Sequence, residues 1–319
     1  MEIVFLDEST VTLNDIDFSC LQKLGSYKGF ANSSEDEIIE RAEAADVIIA
    51  NKAPITGKVL SNLSKLRLVT VVATGYNNVD VKAAKNRGVR VCNVPGYASF
   101  SVTQHTFALI LNLATKIYLY HNDIQAGKWQ RADSFNLLTY PTFELTGKTI
   151  GIIGFGAIGR EVAKIAECFG MRVLANDALG IKGTRGVPEY PNTALDKLLA
   201  ESDIVTLHCP LTEDNRNLID AAALAKMKPA VLLINTARGG LVDEKALFDA
   251  LNSGQIAGAG VDVLSQEPPK KGSNLIGAKN IIISPHSAWS TLQARQRLID
   301  ETAHNIRAFI EGKPRNVVI

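Results

Sequence analysis

Three side chains suited to acid–base chemistry follow successive apolar runs in the second half of the chain. Arg238, Glu267 and His286 each come a few residues after such a run. We predict the runs to be strands, and they cover residues 231–235, 256–263 and 281–284. Because ligands bind beyond the carboxyl ends of parallel strands, we expect the three side chains at one edge of a sheet. Each residue type alone is more often structural or on the surface, but their occurrence after consecutive strands favours a site.

Together, the three residue types suit the reduction of a 2-oxo acid. An arginine can hold a carboxylate or a polarised carbonyl with its fork of donors. A histidine can give a proton to the carbonyl oxygen as hydride arrives on carbon. A carboxylate beside that histidine orients the ring and favours its protonated form. We therefore predict Arg238, Glu267 and His286 as catalytic residues, with Arg238 and His286 also contacting the substrate.

A glycine motif, G-x-G-x-x-G at residues 154–159, indicates how the hydride carrier is bound. The predicted strand at 149–153 runs straight into the motif, and apolar residues then recur at helical spacing up to Gly170. Glycines let the backbone approach a pyrophosphate, whose charge faces the positive end of the helix. The alternative is a tight strand-to-helix turn without a ligand, because the motif alone is a weak signal.

The acid at the end of the next predicted strand indicates which dinucleotide is bound. Asp177 lies 18 residues beyond Gly159 and can accept hydrogen bonds from the adenosine ribose hydroxyls. A carboxylate there would repel the additional phosphate of NADP. The basic residues Lys182 and Arg185 lie several positions further on. The sequence therefore favours NAD.

Short apolar runs alternate with helical patterns along almost the whole chain, which is typical of βαβ units and parallel sheets. We predict further strands at residues 3–6, 47–50, 68–73, 89–94, 172–176 and 204–208. The segment 101–120 contains no glycine or proline, so we predict one long helix there. The amphipathic segment 292–310 needs an apolar surface and could return to the first block of strands.

Composition excludes several classes of protein. The 319 residues carry 34 Lys and Arg against 33 Asp and Glu, which gives no electrostatic case for a nucleic-acid or membrane-surface binder. No apolar stretch reaches the ~20 residues that a membrane span needs, and the acidic start Met1-Glu2 is unlike a secretion signal. The four cysteines show neither pairing nor metal-ligand spacing, so we expect reduced thiols, a cytoplasmic protein and no bound metal.

These segments resemble the D-isomer-specific 2-hydroxyacid dehydrogenase family over nearly the whole chain. The similarity lies in the glycine motif with its acid, in residues 236–240 and 260–268, and around His286. Within the family, segments 93–97, 104–109 and 285–289 look most like the glycerate dehydrogenase, or hydroxypyruvate reductase, branch. Residues 74–80 are similar to the family's substrate loop.

The resemblance implies an α/β fold with two doubly wound parallel-sheet domains. A Rossmann NAD-binding domain at residues 101–287 would be inserted into a flavodoxin-like substrate domain formed by residues 1–100 and 288–319. It also implies a homodimer that pairs through the NAD-binding domain, with the 101–120 helix and the arm at 127–143 as the contact surface.

The resemblance also assigns roles to individual residues. Arg238 would bind substrate, His286 would be the acid–base catalyst, Glu267 would support that histidine, and Asp262 would bind the nicotinamide carboxamide. The residues assigned to substrate binding beside Arg238 and His286 are Thr74, Gly75 and Tyr76. The residues assigned to the cofactor are Thr103, Gly154, Gly156, Ala157, Ile158, Gly159, Asp177, His208, Pro210, Thr236, Ala237 and Asp262.

The expected activity is NADH-dependent reduction of a small 2-oxo acid to a D-2-hydroxy acid, with hydroxypyruvate and D-glycerate as the expected pair. Tyr76 departs from the smaller residue that is common in similar glycerate dehydrogenases, so substrate size stays open. Alternatively, the same kind of enzyme would act on glyoxylate, pyruvate or a bulkier 2-oxo acid. A different class remains too, an NAD-sensing scaffold similar to a transcriptional co-repressor, since fold alone does not prove catalysis.

Overall fold

The computed structural model describes residues 1–177 and 190–319. The chain divides into two compact units, one formed by Met1–Ala98 with Trp289–Ile319 and the other by Ser99–Ala288. Within the described ranges, the longest helices are too short or too polar to cross a lipid bilayer.

Eleven strands and eleven α-helices are formed by the described residues. The strands are β1 (Glu2–Phe5), β2 (Ser26–Gly29), β3 (Val47–Ala50), β4 (Leu68–Val71), β5 (Arg90–Cys92), β6 (Thr149–Ile153), β7 (Arg172–Asn176), β8 (Ile204–Leu207), β9 (Leu232–Asn235), β10 (Gly258–Val261) and β11 (Ile281–Ile283). The helices are α1 (Ser19–Gln22), α2 (Glu35–Arg41), α3 (Gly57–Asn62), α4 (Val81–Asn86), α5 (Ser99–Thr115), α6 (Ile117–Gln125), α7 (Ala157–Cys168), α8 (Leu195–Glu201), α9 (Ala221–Ala225), α10 (Glu244–Ser253) and α11 (Leu292–Ile310).

The first unit contains a parallel sheet with the order β2-β1-β3-β4-β5. Strands β3 and β4 are buried at every position, as expected for strands covered on both faces. This is the flavodoxin-like order. The edge strand β2 was not predicted from the sequence, because Ser26–Gly29 is largely exposed and lacks an apolar run.

The second unit contains a parallel sheet with the order β11-β10-β9-β8-β6-β7. An isolated parallel bridge between Ala175 and Asn192 extends it beyond β7. The strand order reverses between β6 and β8, which is the position where open α/β sheets bind ligands. The predicted doubly wound fold is therefore confirmed, and the glycine motif follows β6 at this reversal.

The predicted continuous helix over 101–120 is wrong, because the structure has two helices there. Lys116 lies between α5 and α6 with φ 56°, in the left-handed region. The preceding Thr115 hydroxyl donates to the Leu111 carbonyl at 2.6 Å, a local bond that bends helices. The buried face of α5, including Leu109 and Leu113, packs on the sheet of the second unit.

Helix α11 has the predicted bounds, and its apolar face returns to the sheet formed by the start of the chain. Leu298, Ile299 and Ile306 are fully buried in one core with Ile3 and Phe5. The two ends of the chain therefore share one hydrophobic core, which explains why the first unit is discontinuous in sequence.

Candidate active site

The turn after β6 requires glycine for two different structural reasons. Gly154 has φ +94°, and a Cβ there would lie 2.5 Å from the Cys209 backbone nitrogen. A Cβ on Gly159 would lie 2.3 Å from the Gly154 carbonyl oxygen, so this glycine lets α7 pack against the turn. By contrast, a Cβ on Gly156 would point into open space. The backbone at Gly156 is thus the part of the turn that a ligand can approach closely.

A pocket opens at this turn, between the carboxyl ends of β6, β7 and β8. It is lined by Gly154, Phe155, Gly156, Asn176, Asp177, His208, Cys209 and Pro210. Within residues 1–177 and 190–319, neither Oδ2 of Asp177 nor Nδ1 of His208 has a hydrogen-bond partner, although both atoms are buried. Such atoms are costly unless a ligand or water satisfies them. With the glycine turn and the start of α7, they form a donor and acceptor set that fits a dinucleotide.

His208 is held as a neutral ring at the edge of this pocket. Its Nε2 lies 2.9 Å from the Thr206 hydroxyl. Burial lowers the pKa of His208 to about 3, because the charged form would lose its hydration. A neutral imidazole can meet an uncharged polar group of a ligand without adding charge to the site.

Glu267 and His286 are brought together directly. Oε2 of Glu267 lies 2.5 Å from Nδ1 of His286, and Oε1 accepts a 2.9 Å hydrogen bond from the Leu264 N–H. His286 has φ 54°, an uncommon backbone conformation for a residue with a side chain. With Nδ1 engaged, Nε2 is the ring nitrogen that can face a substrate. The carboxylate of Glu267 therefore fixes the orientation of the His286 ring.

Asp262 fixes the loop that carries His286. It is 1% exposed, and its carboxylate accepts hydrogen bonds from the Ser284 hydroxyl at 2.5 Å, the Ser287 N–H at 2.9 Å and the Ala288 N–H at 2.8 Å. Its carbonyl also accepts the His286 N–H at 2.7 Å. The resemblance assigns Asp262 to the nicotinamide carboxamide; among the described residues, its carboxylate binds the loop that carries His286.

His105, to which the sequence analysis assigns no role, joins this network. Its Nε2 lies 2.8 Å from the Ser284 hydroxyl and 3.6 Å from Oδ1 of Asp262. His105 is on α5, and 179 residues separate it from Ser284. Spacing within the sequence carries no signal for a contact of that kind.

Arg238 lies on a loop that packs against the Glu267 loop. Asn235, at the end of β9, donates to the Arg238 carbonyl at 2.9 Å and accepts the Ala237 N–H at 3.0 Å. A Cβ on Gly239 would lie 2.0 Å from the carbonyl carbon of Leu264, so only glycine permits this approach. The exposed guanidinium donates to the Ala237 carbonyl at 2.7 Å, and its remaining donors can take a substrate oxygen.

The other residues assigned by the resemblance lie in four places. Ala157 and Ile158 begin α7, and Pro210 lines the pocket. Thr236 is buried at the end of β9, with its hydroxyl 3.2 Å from that of Thr106. Thr103 is 1% exposed, and its hydroxyl has no partner among the described residues.

The predicted substrate loop belongs to the first unit and follows β4. The Thr74 hydroxyl donates to the Val94 carbonyl at 3.2 Å, and the Tyr76 carbonyl accepts the Val79 N–H at 3.1 Å. Tyr76 itself is 38% exposed. These contacts hold Gly75 between two anchored residues, with its N–H outside the strand ladder of β4.

Two of the residues used to favour NAD, Lys182 and Arg185, lie outside the described residues. Over the ranges that are described, no three His, Cys, Asp or Glu side chains are grouped in a way that could hold a metal ion.

The doubly wound sheet, the glycine turn at its strand reversal and the paired histidine and carboxylate define a dinucleotide-dependent oxidoreductase. Residues 107–288 match the sequence model described as "D-isomer specific 2-hydroxyacid dehydrogenase, NAD binding domain". The chain belongs to the D-isomer specific 2-hydroxyacid dehydrogenase family, and its cofactor is NAD.

Two relatives match over nearly their whole length. The chain is 41% identical to a glycerate dehydrogenase of Methylorubrum extorquens, over 99% of this chain and 98% of the relative. It is 40% identical to a hydroxypyruvate reductase of Blautia hydrogenotrophica, over 100% and 99%. Among solved structures, a D-lactate dehydrogenase of Aquifex aeolicus complexed with NAD and lactic acid superposes with a TM-score of 0.80, at 30% identity over 98% of this chain and 96% of that one.

Proposed function

We propose that the chain reduces hydroxypyruvate to D-glycerate with NADH. The observation that carries the proposal is the hydrogen-bonded pair of Glu267 and His286, at the same sheet edge as the glycine turn. The similarity to a glycerate dehydrogenase and a hydroxypyruvate reductase supports this substrate within the family. The coarser activity, NAD-dependent oxidoreduction of a small 2-oxo or D-2-hydroxy acid, belongs to the family as a whole.

The proposed roles follow from the contacts of each side chain. When bound, NADH supplies the hydride that C2 of the substrate accepts. His286 holds a proton at Nε2 and gives it to the carbonyl oxygen, while Glu267 keeps the opposite nitrogen in place and stabilises the positive charge of the ring. Arg238 offers a fork of donors to the substrate carboxylate or carbonyl. In the reverse direction, the neutral ring of His286 takes the hydroxyl proton.

Cofactor contacts are proposed from the pocket at the strand reversal. The backbone of Gly156 and the start of α7 would receive the pyrophosphate, and the unpartnered oxygen of Asp177 would accept from the adenosine ribose. A carboxylate in this position would repel a ribose phosphate, which supports a preference for NADH over NADPH. The buried, unpartnered groups of Thr103 and His208 are further candidates. The resemblance adds Pro210, Thr236, Ala237 and Asp262.

We propose residues 1–100 with 288–319 as the substrate domain and residues 101–287 as the cofactor domain. In the first of these, Thr74, Gly75 and Tyr76 are the proposed substrate loop. Because Tyr76 is larger than the residue that is common in similar glycerate dehydrogenases, it bears on the size of substrate that the loop accepts. Glyoxylate is the alternative substrate that needs the smallest pocket.

A cytoplasmic homodimer is also proposed. In the arm at 127–143, Phe135 and Leu138 are 92% and 85% exposed. The arm is nevertheless ordered, because the Asp123 carboxylate accepts hydrogen bonds from Lys128 at 2.6 Å and from the Tyr140 hydroxyl at 2.8 Å. Ordered apolar side chains exposed to this extent suit a partner subunit. The four cysteines are free thiols, in keeping with a reducing compartment. Sedimentation equilibrium would test the dimer, and a monomer at micromolar concentration would contradict it.

The proposed reaction is tested by following NADH loss with hydroxypyruvate, glyoxylate, pyruvate and phenylpyruvate in parallel, and then NADPH with the best substrate. We expect the highest kcat/KM with hydroxypyruvate and NADH. A higher kcat/KM with a bulkier acid would reject hydroxypyruvate as the substrate but would agree with the same class of reaction. Tight NADH binding with no turnover of any of the four acids would favour the NAD-sensing scaffold instead.

A further inference from the structure

One carboxylate outside the proposed site holds both ends of the loop that carries Glu267. Oε1 of Glu244 accepts the Ser265 N–H at 2.6 Å, and Oε2 accepts the Ser273 hydroxyl at 2.7 Å. Glu244 is the first residue of α10, directly after Asp243, which caps the helix by accepting two backbone N–H groups. Its carboxylate is therefore attached to a rigid element, while the two serines that it binds are not in helices or strands.

Glu267 lies between these two anchor points. Inside the loop, the Lys270 N–H donates to the Pro268 carbonyl at 2.8 Å and the Gly272 N–H donates to the Pro269 carbonyl at 2.9 Å. These bonds close local turns and do not attach the loop to the sheet. The contacts with Glu244 attach the loop to α10, and they restrict the positions that the Glu267 carboxylate can reach.

The other charges on α10 do not compete for this carboxylate. The neighbouring Lys245 pairs with Asp249 at 2.6 Å, one turn further along the helix. In the described part of the chain, Glu244 has no ion pair, and both of its oxygens are used by the loop. A charge at the positive end of a helix is favourable without a cation, so its geometry can be set by the two serines alone.

We propose that Glu244 is a positioning residue for the reaction, which holds Glu267 against His286 by binding Ser265 and Ser273. The inference rests on the proposed function, since it matters only if His286 is the proton donor. Loss of Glu244 would let the Glu267 carboxylate move away from Nδ1. The ring of His286 would then lose the partner that fixes its orientation.

The test compares Glu244→Ala with Glu244→Gln and measures kcat for hydroxypyruvate reduction between pH 5.5 and 9. A glutamine can still accept the Ser265 N–H and donate to the Ser273 hydroxyl, so it should restore most of the activity. For the alanine variant we expect a kcat at least about tenfold lower at neutral pH, as for other residues that orient a reacting group. We also expect the pH profile of its kcat to change in the same way as that of Glu267→Gln.

Asp249→Ala is the matched control, because it removes a carboxylate from the exposed face of the same helix. It should leave the pH profile unchanged. NADH affinity, measured by fluorescence, should stay within about twofold of the wild-type value in every variant. If Glu244→Ala does not fold, Ser273→Ala removes one of the two anchors and should give the same shift in smaller degree.

The double variant Glu244→Ala/Glu267→Gln separates positioning from simple destabilisation. If Glu244 acts through Glu267, the first change should have little further effect once the second is present. The proposal is overturned if the kcat losses of the two single variants multiply in the double variant. It is also overturned if Glu244→Ala lowers kcat by the same factor at every pH. If Glu267→Gln itself leaves the profile unchanged, the proposed function fails and this inference fails with it, whereas a shift at Glu267 without one at Glu244 rejects the inference alone.

Discussion

Replacing Gly156 with alanine should weaken NADH binding without destabilising the fold. A Cβ at this position meets no atom within 4 Å, and the backbone has φ −77° and ψ −156°, which alanine adopts without strain. The free energy of unfolding should therefore stay constant or rise by about 0.4–1 kcal/mol, because the unfolded chain loses freedom. The new methyl group would occupy the place where a pyrophosphate approaches the start of α7.

The expected loss of affinity follows from the hydrogen bonds that the methyl group would prevent. A bond between a backbone N–H and a charged phosphate oxygen contributes about 1.5–3 kcal/mol, so losing one raises the NADH Kd roughly 10- to 150-fold. Fluorescence titration with NADH gives the Kd, and urea unfolding followed by circular dichroism gives the stability. An NADH Kd within twofold of the wild-type value would show that the pyrophosphate does not approach the backbone at Gly156.

Gly154→Ala is the matched control, because it should destabilise the fold, which Gly156→Ala should not do. Its Cβ would lie 2.5 Å from the Cys209 nitrogen in a backbone with φ +94°, so the fold must distort. We expect a stability loss of about 2–4 kcal/mol from overpacking and the left-handed conformation together. Equal destabilisation by the two alanines would show that a Cβ at Gly156 does not point into open space.

Three further changes test other parts of the site. Arg238→Ala should raise the KM for hydroxypyruvate at least about tenfold with little change in NADH Kd, since a charged hydrogen bond to the substrate is lost; an unchanged KM in steady-state assays would reject its role. Glu267→Gln should lower kcat and change its pH profile, because the ring of His286 loses its carboxylate partner; an unchanged kcat and profile would show that the pair does not govern proton donation. His208→Asn should make the protein less sensitive to acid. His208 takes up a proton near pH 6.5 in the unfolded chain but only near pH 3 in the folded protein. The free energy of unfolding of the wild type should therefore fall by up to about 2 kcal/mol as the pH is lowered from above 6.5 to 5. Denaturant unfolding at the two pH values measures this, and identical acid losses in wild type and variant would contradict it.

Local patterns in the sequence were sufficient to predict the element that we propose as the cofactor site. Strand β6 and the glycine turn could be identified because apolar runs, glycines and a helical repeat lie next to one another in sequence. The bounds of α11 were also predicted, since its amphipathic pattern continues from its start to Gly312. In both cases, the residues that decide the structure are within one or two turns of each other.

The features that the sequence could not predict depend on contacts between distant segments. The contact of His105 with Ser284, and those of Glu244 with Ser265 and Ser273, join segments that are 21–179 residues apart. No spacing rule connects them. The break at Lys116 was missed because it uses a left-handed lysine where a glycine would have been a visible signal.

The central claim is that His286, oriented by Glu267, donates the proton that accompanies hydride transfer to a 2-oxo acid. The most direct measurement compares wild type and His286→Gln for kcat with hydroxypyruvate and NADH, together with the NADH Kd of each protein. We expect a kcat lower by about 10²–10⁴-fold with an NADH Kd within twofold of wild type. A variant that retains more than a tenth of the wild-type kcat would show that His286 is not the proton donor.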